Sequence, residues 1–252
     1  WLKRHQPEVF ARVRKLGMIS DWMATRLTGR HVTEPSAGSS SALFDLGRRH
    51  WSDRLLSLVD LDPEMMPEVV ESGCQIGTVT PTAAARCGLA AGTPVIAGGG
   101  DTQLALLGLG RRAGQATLVG GSFWQMTILS DHALIDPAFG PRTLCHARPG
   151  EWMVEGIGFL SGFALRWFRD AFVEPVLRHG QANIDSFALI EELAAQAPAG
   201  AGGLVALAAN RMQSDNWRQP PLGFLGFDIN NPGGALGNGA RAVMEAGAFL
   251  AH

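Results

Sequence analysis

The segment Pro94-Val95-Ile96-Ala97-Gly98-Gly99-Gly100-Asp101-Thr102-Gln103-Leu104-Ala105-Leu106-Leu107-Gly108-Leu109 reads as a short apolar strand, a turn of three glycines and a helix over 102–109. Three residues without Cβ let the backbone approach a ligand closely and put the Asp101 carboxylate at a strand end. Open α/β sheets bind their ligands there. A second role suits Asp101 equally: capping the helix that begins at Thr102. Strand, turn and helix in this order point to an α/β fold.

Downstream, 116–119 is an apolar run that enters Gly120-Gly121-Ser122, and 123–129 continues as a second strand, so the pair reads as a hairpin. The Gly-Gly-Ser bend is either a plain hairpin turn or a nest of backbone N–H groups with a hydroxyl for phosphate oxygens. A third strand is expected over 152–157. Leu160, Phe163, Ala164, Trp167, Phe168, Ala171 and Phe172 recur at helical spacing. Arg166, Arg169 and Asp170 then fall on that helix either as its solvated face or as ligand-facing charges. Helix 186–196, strand 203–208 and helix 241–250 follow.

Upstream, Pro7 opens a helix that runs to Gly17, and Ser20 caps a second one ending at Gly29. Residues 33–41 are polar and read as loop. Ser52 caps a helix through Val59, and Thr80-Pro81 starts another that ends at Gly88. The helix-rich first part against the mixed later part puts a domain boundary near residue 110.

Among 252 residues, 21 Lys+Arg against 23 Asp+Glu leave a net charge of −2, which argues against a nucleic-acid surface or a polybasic membrane anchor. Glycine is unusually frequent at 32 residues, yet 46% hydrophobic content supplies a sizeable core. No uncharged stretch reads as a membrane span. Cys74, Cys87 and Cys145 form neither a CxxC nor an even framework, so a reducing, cytoplasmic setting is expected. The seven histidines show no metal-ligand spacing, and no metal ligand is assigned. GxGxxG, GxxxxGK[ST] and GxSxG are all missing.

Taken together, Ser20-Asp21-Trp22, Arg26-Leu27-Thr28-Gly29, Leu43-Phe44-Asp45-Leu46, Trp51, Gly92-Thr93-Pro94-Val95, Gly98-Gly99-Gly100-Asp101, Trp167-Phe168-Arg169-Asp170 and Arg241-Ala242-Val243-Met244-Glu245 resemble the FGGY family of carbohydrate kinases. The likeness runs over nearly the whole chain. It implies an actin-like ATPase (ribonuclease H-like) α/β fold with partial copies of two domains. Residues 1–110 would be part of the sugar-binding N-terminal domain and 111–252 part of the nucleotide-binding C-terminal domain. The implied activity is ATP-dependent phosphorylation of a sugar or polyol hydroxyl, with ATP and Mg²⁺ as cofactors.

Three segments resemble the subgroup acting on the quorum-sensing signal derived from dihydroxypentanedione: Gly120-Gly121-Ser122-Phe123-Trp124-Gln125, Arg166-Trp167-Phe168-Arg169-Asp170-Ala171-Phe172 and Asn210-Arg211-Met212. That subgroup implies a contact with the phosphocarrier protein HPr. Another pentulose or polyol kinase, and a non-catalytic sugar-binding module on the same scaffold, are the alternatives.

By the resemblance, Asp101 falls on the catalytic base and, with Thr102, on the substrate side. Gly120, Gly121 and Ser122 fall on the phosphate-binding turn, and Gly162 and Arg166 on nucleotide-facing positions. Thr102 departs from the glutamine that glycerol kinases carry after the base. The family's DxG[ST] hairpin and its glycine-rich adenine segment have no counterpart, and Leu222 stands where the second signature has a small residue. The chain therefore reads as the middle half of such an enzyme, and these 252 residues alone are expected to be inactive.

Overall fold

The computed structural model describes residues 1–138, 140–158, 161–180, 184–207 and 222–250. The chain divides into two compact units, 1–116 with 128–154, and 117–127 with 155–252. It passes from one to the other after strand Ala116–Gly120 begins and again within strands Trp124–Ser130 and Trp152–Gly158.

In the first unit, the helix expected from Pro7 to Gly17 is two short pieces, Leu2–His5 and Pro7–Phe10. Gln6 leaves helical geometry because the residue before a proline is disfavoured there. Beyond Ala11 the chain leaves the helix, and Leu16 N–H donates to Met65 O at 2.8 Å. Helix Ile19–Thr28 starts one residue after Met18, and Ser20 is not its cap: the Asp21 carboxylate reaches back to the Met18 N–H at 2.7 Å. Its end at Gly29, with φ 79°, is as expected.

The polar stretch 33–41 is not a loop. It holds helix Pro35–Ser39, capped by Glu34 and mostly buried, next to strand Val32–Thr33, which pairs in parallel with Glu68–Val69. Short strands Phe44–Asp45 and His50–Trp51 pair antiparallel and bring Phe44 edge-on to Trp51 at 5.2 Å. These two rings form a core with Leu56, Met66, Cys145 and Trp152. Ser52 and Thr80 cap helices Asp53–Leu58 and Pro81–Cys87 as their sequences foretell. Strand Pro94–Ile96 pairs antiparallel with Gln75–Thr78, and helix Asp101–Gly108 follows the glycine turn.

A four-stranded sheet takes the order Ala116–Gly120, Trp124–Ser130, Trp152–Gly158, Arg142–Cys145, so the first two strands are neighbours joined through Gly121-Ser122-Phe123. In the second unit, helix Ser161–Phe168 does not run on to Phe172 as a regular α-helix. It widens into a π-turn over Arg169–Val173, whose longer period keeps both Phe168 and Val173 in the core. Asp185 caps helix Ser186–Gln196, and strand Val205–Leu207 pairs antiparallel with Gly223–Leu225. The last helix begins at Ala235, not 241. Its early glycines serve packing: a Cβ on Gly239 would sit 2.8 Å from the Phe168 ring. Leu160 and the Asn210-Arg211-Met212 motif lie outside the described residues.

Candidate functional site

Two sites emerge, one in each unit. In the first, strand Pro94–Ile96 delivers the chain to Gly98-Gly99-Gly100, and Asp101 is the first residue of helix Asp101–Gly108 rather than its cap. Gly100 occupies the cap position without a side-chain bond. The Asp101 carboxylate is exposed, and its Oδ1 accepts the Thr102 N–H at 2.7 Å. A carboxylate at the first turn also faces the positive end of the helix. Thr102 is half-buried beside it.

The turn itself is tightly held. A Cβ on Gly99 would meet Leu104 at 3.2 Å and Ala147 at 3.3 Å, and one on Gly100 would overlap the buried Gln103 amide. A Cβ at Gly99 or Gly100 would therefore have to displace neighbouring side chains, whereas one at Gly98 would meet nothing within 4 Å. From the other side Ser36 Oγ accepts the Gly100 N–H at 2.7 Å. Ser36 in turn donates to the buried Glu34 carboxylate, which also accepts two backbone N–H groups of helix Pro35–Ser39.

The same unit holds a partly buried polar framework. Arg49 forks onto both oxygens of Glu71 at 2.7 and 2.9 Å and donates to Glu151 O and His146 O. His146 is fully buried, and its Nδ1 accepts the Arg148 N–H at 3.1 Å. Burial holds its imidazole below the usual range, with Glu151 working against that and Arg148 with it. Burial likewise pushes the Cys145 thiol up to about 11, against the pull of Arg49. That sulfur is not a nucleophile at neutral pH.

The second site is a pocket of about 460 Å³. Gly120, Gly121, Ser122, Gly162 and Arg166 all line it, so the structure brings these five together, while Asp101 and Thr102 belong to the first unit. Phe187, Leu165, Val243 and Met244 supply an apolar wall. The Gly120-Gly121-Ser122 bend is closed by Gly121 N–H donating to Phe123 O, and Phe163 N–H donates to Ser122 O at 3.2 Å. Helix Ser161–Phe168 thus starts against the bend. A Cβ on Gly162 would land on the Gly121 carbonyl, with Ser122 Cα 2.8 Å away. Arg166 is exposed, its guanidinium 5.6 Å from the Phe163 ring.

Sequence reading missed Ser161, which also lines the pocket. Its hydroxyl is buried and has no hydrogen-bond partner among the described residues. Hydroxyls, a helix start and a guanidinium around one pocket suit an anionic, oxygen-rich ligand. Glu34 and Ser36 were missed as well. The signal for them was an acid followed by proline, a helix-start pattern hidden in a polar stretch. Among the described residues no three His, Cys, Asp or Glu side chains are grouped to hold a metal, and no helix is long and apolar enough to cross a membrane.

Residues 1–108 match the FGGY family of carbohydrate kinases, N-terminal domain. The chain is 39% identical over 232 residues to autoinducer-2 kinase of Yersinia pestis bv. Antiqua (strain Angola), covering 91% of this chain and 44% of that protein. Autoinducer-2 kinase of Yersinia pseudotuberculosis serotype O:1b (strain IP 31758) is 38% identical over the same span. The chain therefore spans under half the length of these curated relatives. Among solved structures, xylulose kinase from Rhodospirillum rubrum superposes with a TM-score of 0.79 at 28% identity over 98% of this chain and 48% of that one. A ligand-bound xylulose kinase from Lactobacillus acidophilus gives 0.82 at 22% identity, over 99% and 49%, and speaks for the fold alone. The mixed α/β chain has about half of the actin-like ATPase fold of these sugar kinases.

Proposed function

We propose that this chain, whose residues 1–108 match the N-terminal domain of the FGGY family of carbohydrate kinases, supplies the base and part of the phosphate site of an ATP-dependent kinase for a sugar-like hydroxyl. The observation that carries this reading is the exposed Asp101 carboxylate on a packed glycine turn at a helix start. A carboxylate so placed orients an acceptor hydroxyl and takes its proton as the oxygen attacks phosphorus. Thr102 N–H fixes Oδ1, so the carboxylate has a defined direction before substrate arrives.

In the second unit, the Gly120-Gly121-Ser122 bend, the Ser161 hydroxyl and Arg166 are read as the groups that hold nucleotide phosphates. The orphaned Ser161 Oγ, at the start of a helix packed directly on the bend, fits such a ligand. ATP with Mg²⁺ would supply the transferable phosphoryl group and neutralise its charge; Mg²⁺ held mainly by phosphate oxygens and water needs no all-protein cage. We assign 1–110 to the sugar-binding domain and 111–252 to the nucleotide-binding domain, in a cytoplasmic enzyme.

Among acceptors, the dihydroxypentanedione-derived quorum signal is favoured, because the relatives named autoinducer-2 kinase match 91% of this chain. The test compares that signal with xylulose, ribulose and glycerol in a coupled ADP assay on the full-length protein. Asp101→Asn should leave the fold intact and cut turnover by about 10²–10⁴-fold, since an amide accepts no proton. Near-parental turnover in that variant removes Asp101 from the mechanism. Saturable signal binding with no ATP consumption would instead favour a sugar-binding module.

A further inference from the structure

The turn that presents Asp101 is tied, through Gly100, to a buried carboxylate 66 residues upstream by a single directed relay of hydrogen bonds. Gly100 N–H donates to Ser36 Oγ at 2.7 Å, and Ser36 Oγ–H donates to Glu34 Oε1 at 2.7 Å. Glu34 also accepts the Ser36 and Ala37 N–H groups at 2.7 Å and the Ser72 hydroxyl at 3.1 Å. A backbone N–H can only donate, so Ser36 Oγ turns a lone pair to Gly100, and its single proton is left to point at Glu34. The direction of the relay is thereby fixed.

Neither relay member can drift. Ser36 is 1% and Glu34 6% exposed. Their helix, Pro35–Ser39, is anchored at its far end, where Cys145 N–H donates to Ser39 Oγ at 3.0 Å. Gly100, the N-cap of its helix, has no side chain to cap with, and Ser36 holds the Gly100 N–H from outside, the bond that the N3 side chain of a capping box makes locally.

We infer that Ser36, aligned by Glu34, is a positioning residue for Asp101. It fixes the backbone one residue before the base and thereby the base's aim. The inference rests on Asp101 being the base, as proposed above. It acts only through Asp101's placement, and a misplacement of about 1 Å from a change remote from the chemistry can cost about 10²-fold in rate.

Two readouts on the full-length protein test it. Amide hydrogen exchange at Gly100 reports the bond whatever the protein's activity; steady-state kinetics report positioning. Ser36→Ala should lose Gly100 protection and lower kcat about 10²-fold with KM nearly unchanged. Ser36→Thr, which keeps the hydroxyl, should restore most of both. Ser36→Cys, near in size and a poor acceptor, carries the same test should the alanine variant fail to fold. Ser72→Ala removes a bond to the same carboxylate outside the relay, so it should lower stability but not kcat. Unchanged Gly100 protection in Ser36→Ala overturns the relay. Parental kcat in Ser36→Ala and Ser36→Cys, with Asp101→Asn inactive, overturns positioning and spares the base. Full activity in Asp101→Asn overturns the base and positioning together, and the Gly100 exchange result separates that case from a missing relay.

Discussion

Replacing Gly162 by alanine should destabilise the second unit by about 2 kcal/mol, although alanine is the better helix former. The new Cβ would fall on the Gly121 carbonyl oxygen and lie 2.8 Å from both Gly121 C and Ser122 Cα. All three are backbone atoms, so no side chain can rotate away. Helix Ser161–Phe168 must retreat by roughly 1.5 Å or more to restore ordinary contacts of about 3.5–4.0 Å. Overpacking of this kind costs about 1–3 kcal/mol. The retreat also stretches the 3.2 Å bond from Phe163 N–H to Ser122 O, worth about 1 kcal/mol. Against these stands a helix-propensity gain of about 1 kcal/mol. A net loss near 2 kcal/mol corresponds to a fall of roughly 8 °C in Tm for a unit of this size. Gly108→Ala is the control: its added Cβ meets nothing within 4 Å, so propensity acts alone. Calorimetric scans of both variants decide the matter. A Gly162→Ala protein melting at or above its parent would refute the close-approach argument.

Other consequences follow from the first unit. Because burial holds His146 below its usual value of 6.5, the unfolded chain binds more protons near that pH; stability is full above about 6.5 and is lost as pH falls through the lower folded value. Urea midpoints between pH 8 and 5 should slope downward for the parent and flatten for His146→Gln, and equal slopes would discard the histidine. Arg49→Met should cost about 3 kcal/mol by urea denaturation, because it strips the partners of Glu71 and of two carbonyls, with Glu71's partial exposure moderating the loss. Arg49→Lys keeps the charge but not the fork and should recover only part of that. Iodoacetamide should label the exposed Cys74 and Cys87 in the native protein but reach Cys145 only in denaturant, its thiol being buried and pushed up to about 11. Native labelling of all three would contradict the packing.

What could be read from sequence follows the length of each signal. Helix Ser186–Gln196 and helix Pro81–Cys87 carry a cap and a stop, and the strand-glycine-helix run around Asp101 carries three signals in a row. Strands Val32–Thr33, Phe44–Asp45, His50–Trp51 and Glu68–Val69 are two residues each, too short for any alternation to show. Helix Pro35–Ser39 holds two serines and a glycine, poor helix formers, and exists because Glu34 caps it and burial keeps it. Asp21 caps a helix from its third position, where the usual residue at the cap, here Met18, gives no clue. The site divides the same way. Asp101, Gly121 and Gly162 are marked by glycine patterns or family likeness, whereas Ser161, Glu34 and Ser36 matter through partners that only the fold supplies.

The two sites are held by different physics, and that difference is itself open to experiment. The Asp101 turn hangs on hydrogen bonds from side chains, Ser36 to Glu34, so its placement can be weakened in steps and recovered by a residue that restores an acceptor. The Gly120-Gly121-Ser122 bend is held by backbone pressed against backbone at Gly162, and glycine alone lacks the Cβ that would intrude. Substitutions at Ser36 should therefore form a graded series ordered by acceptor strength, threonine above cysteine above alanine. Those at Gly162 should not order by chemistry at all: alanine, serine and cysteine share the same offending atom and should lose stability by similar amounts. A Gly162→Ser protein markedly more stable than Gly162→Ala would mean that a side-chain contact, and not the Cβ, governs how the helix meets the bend.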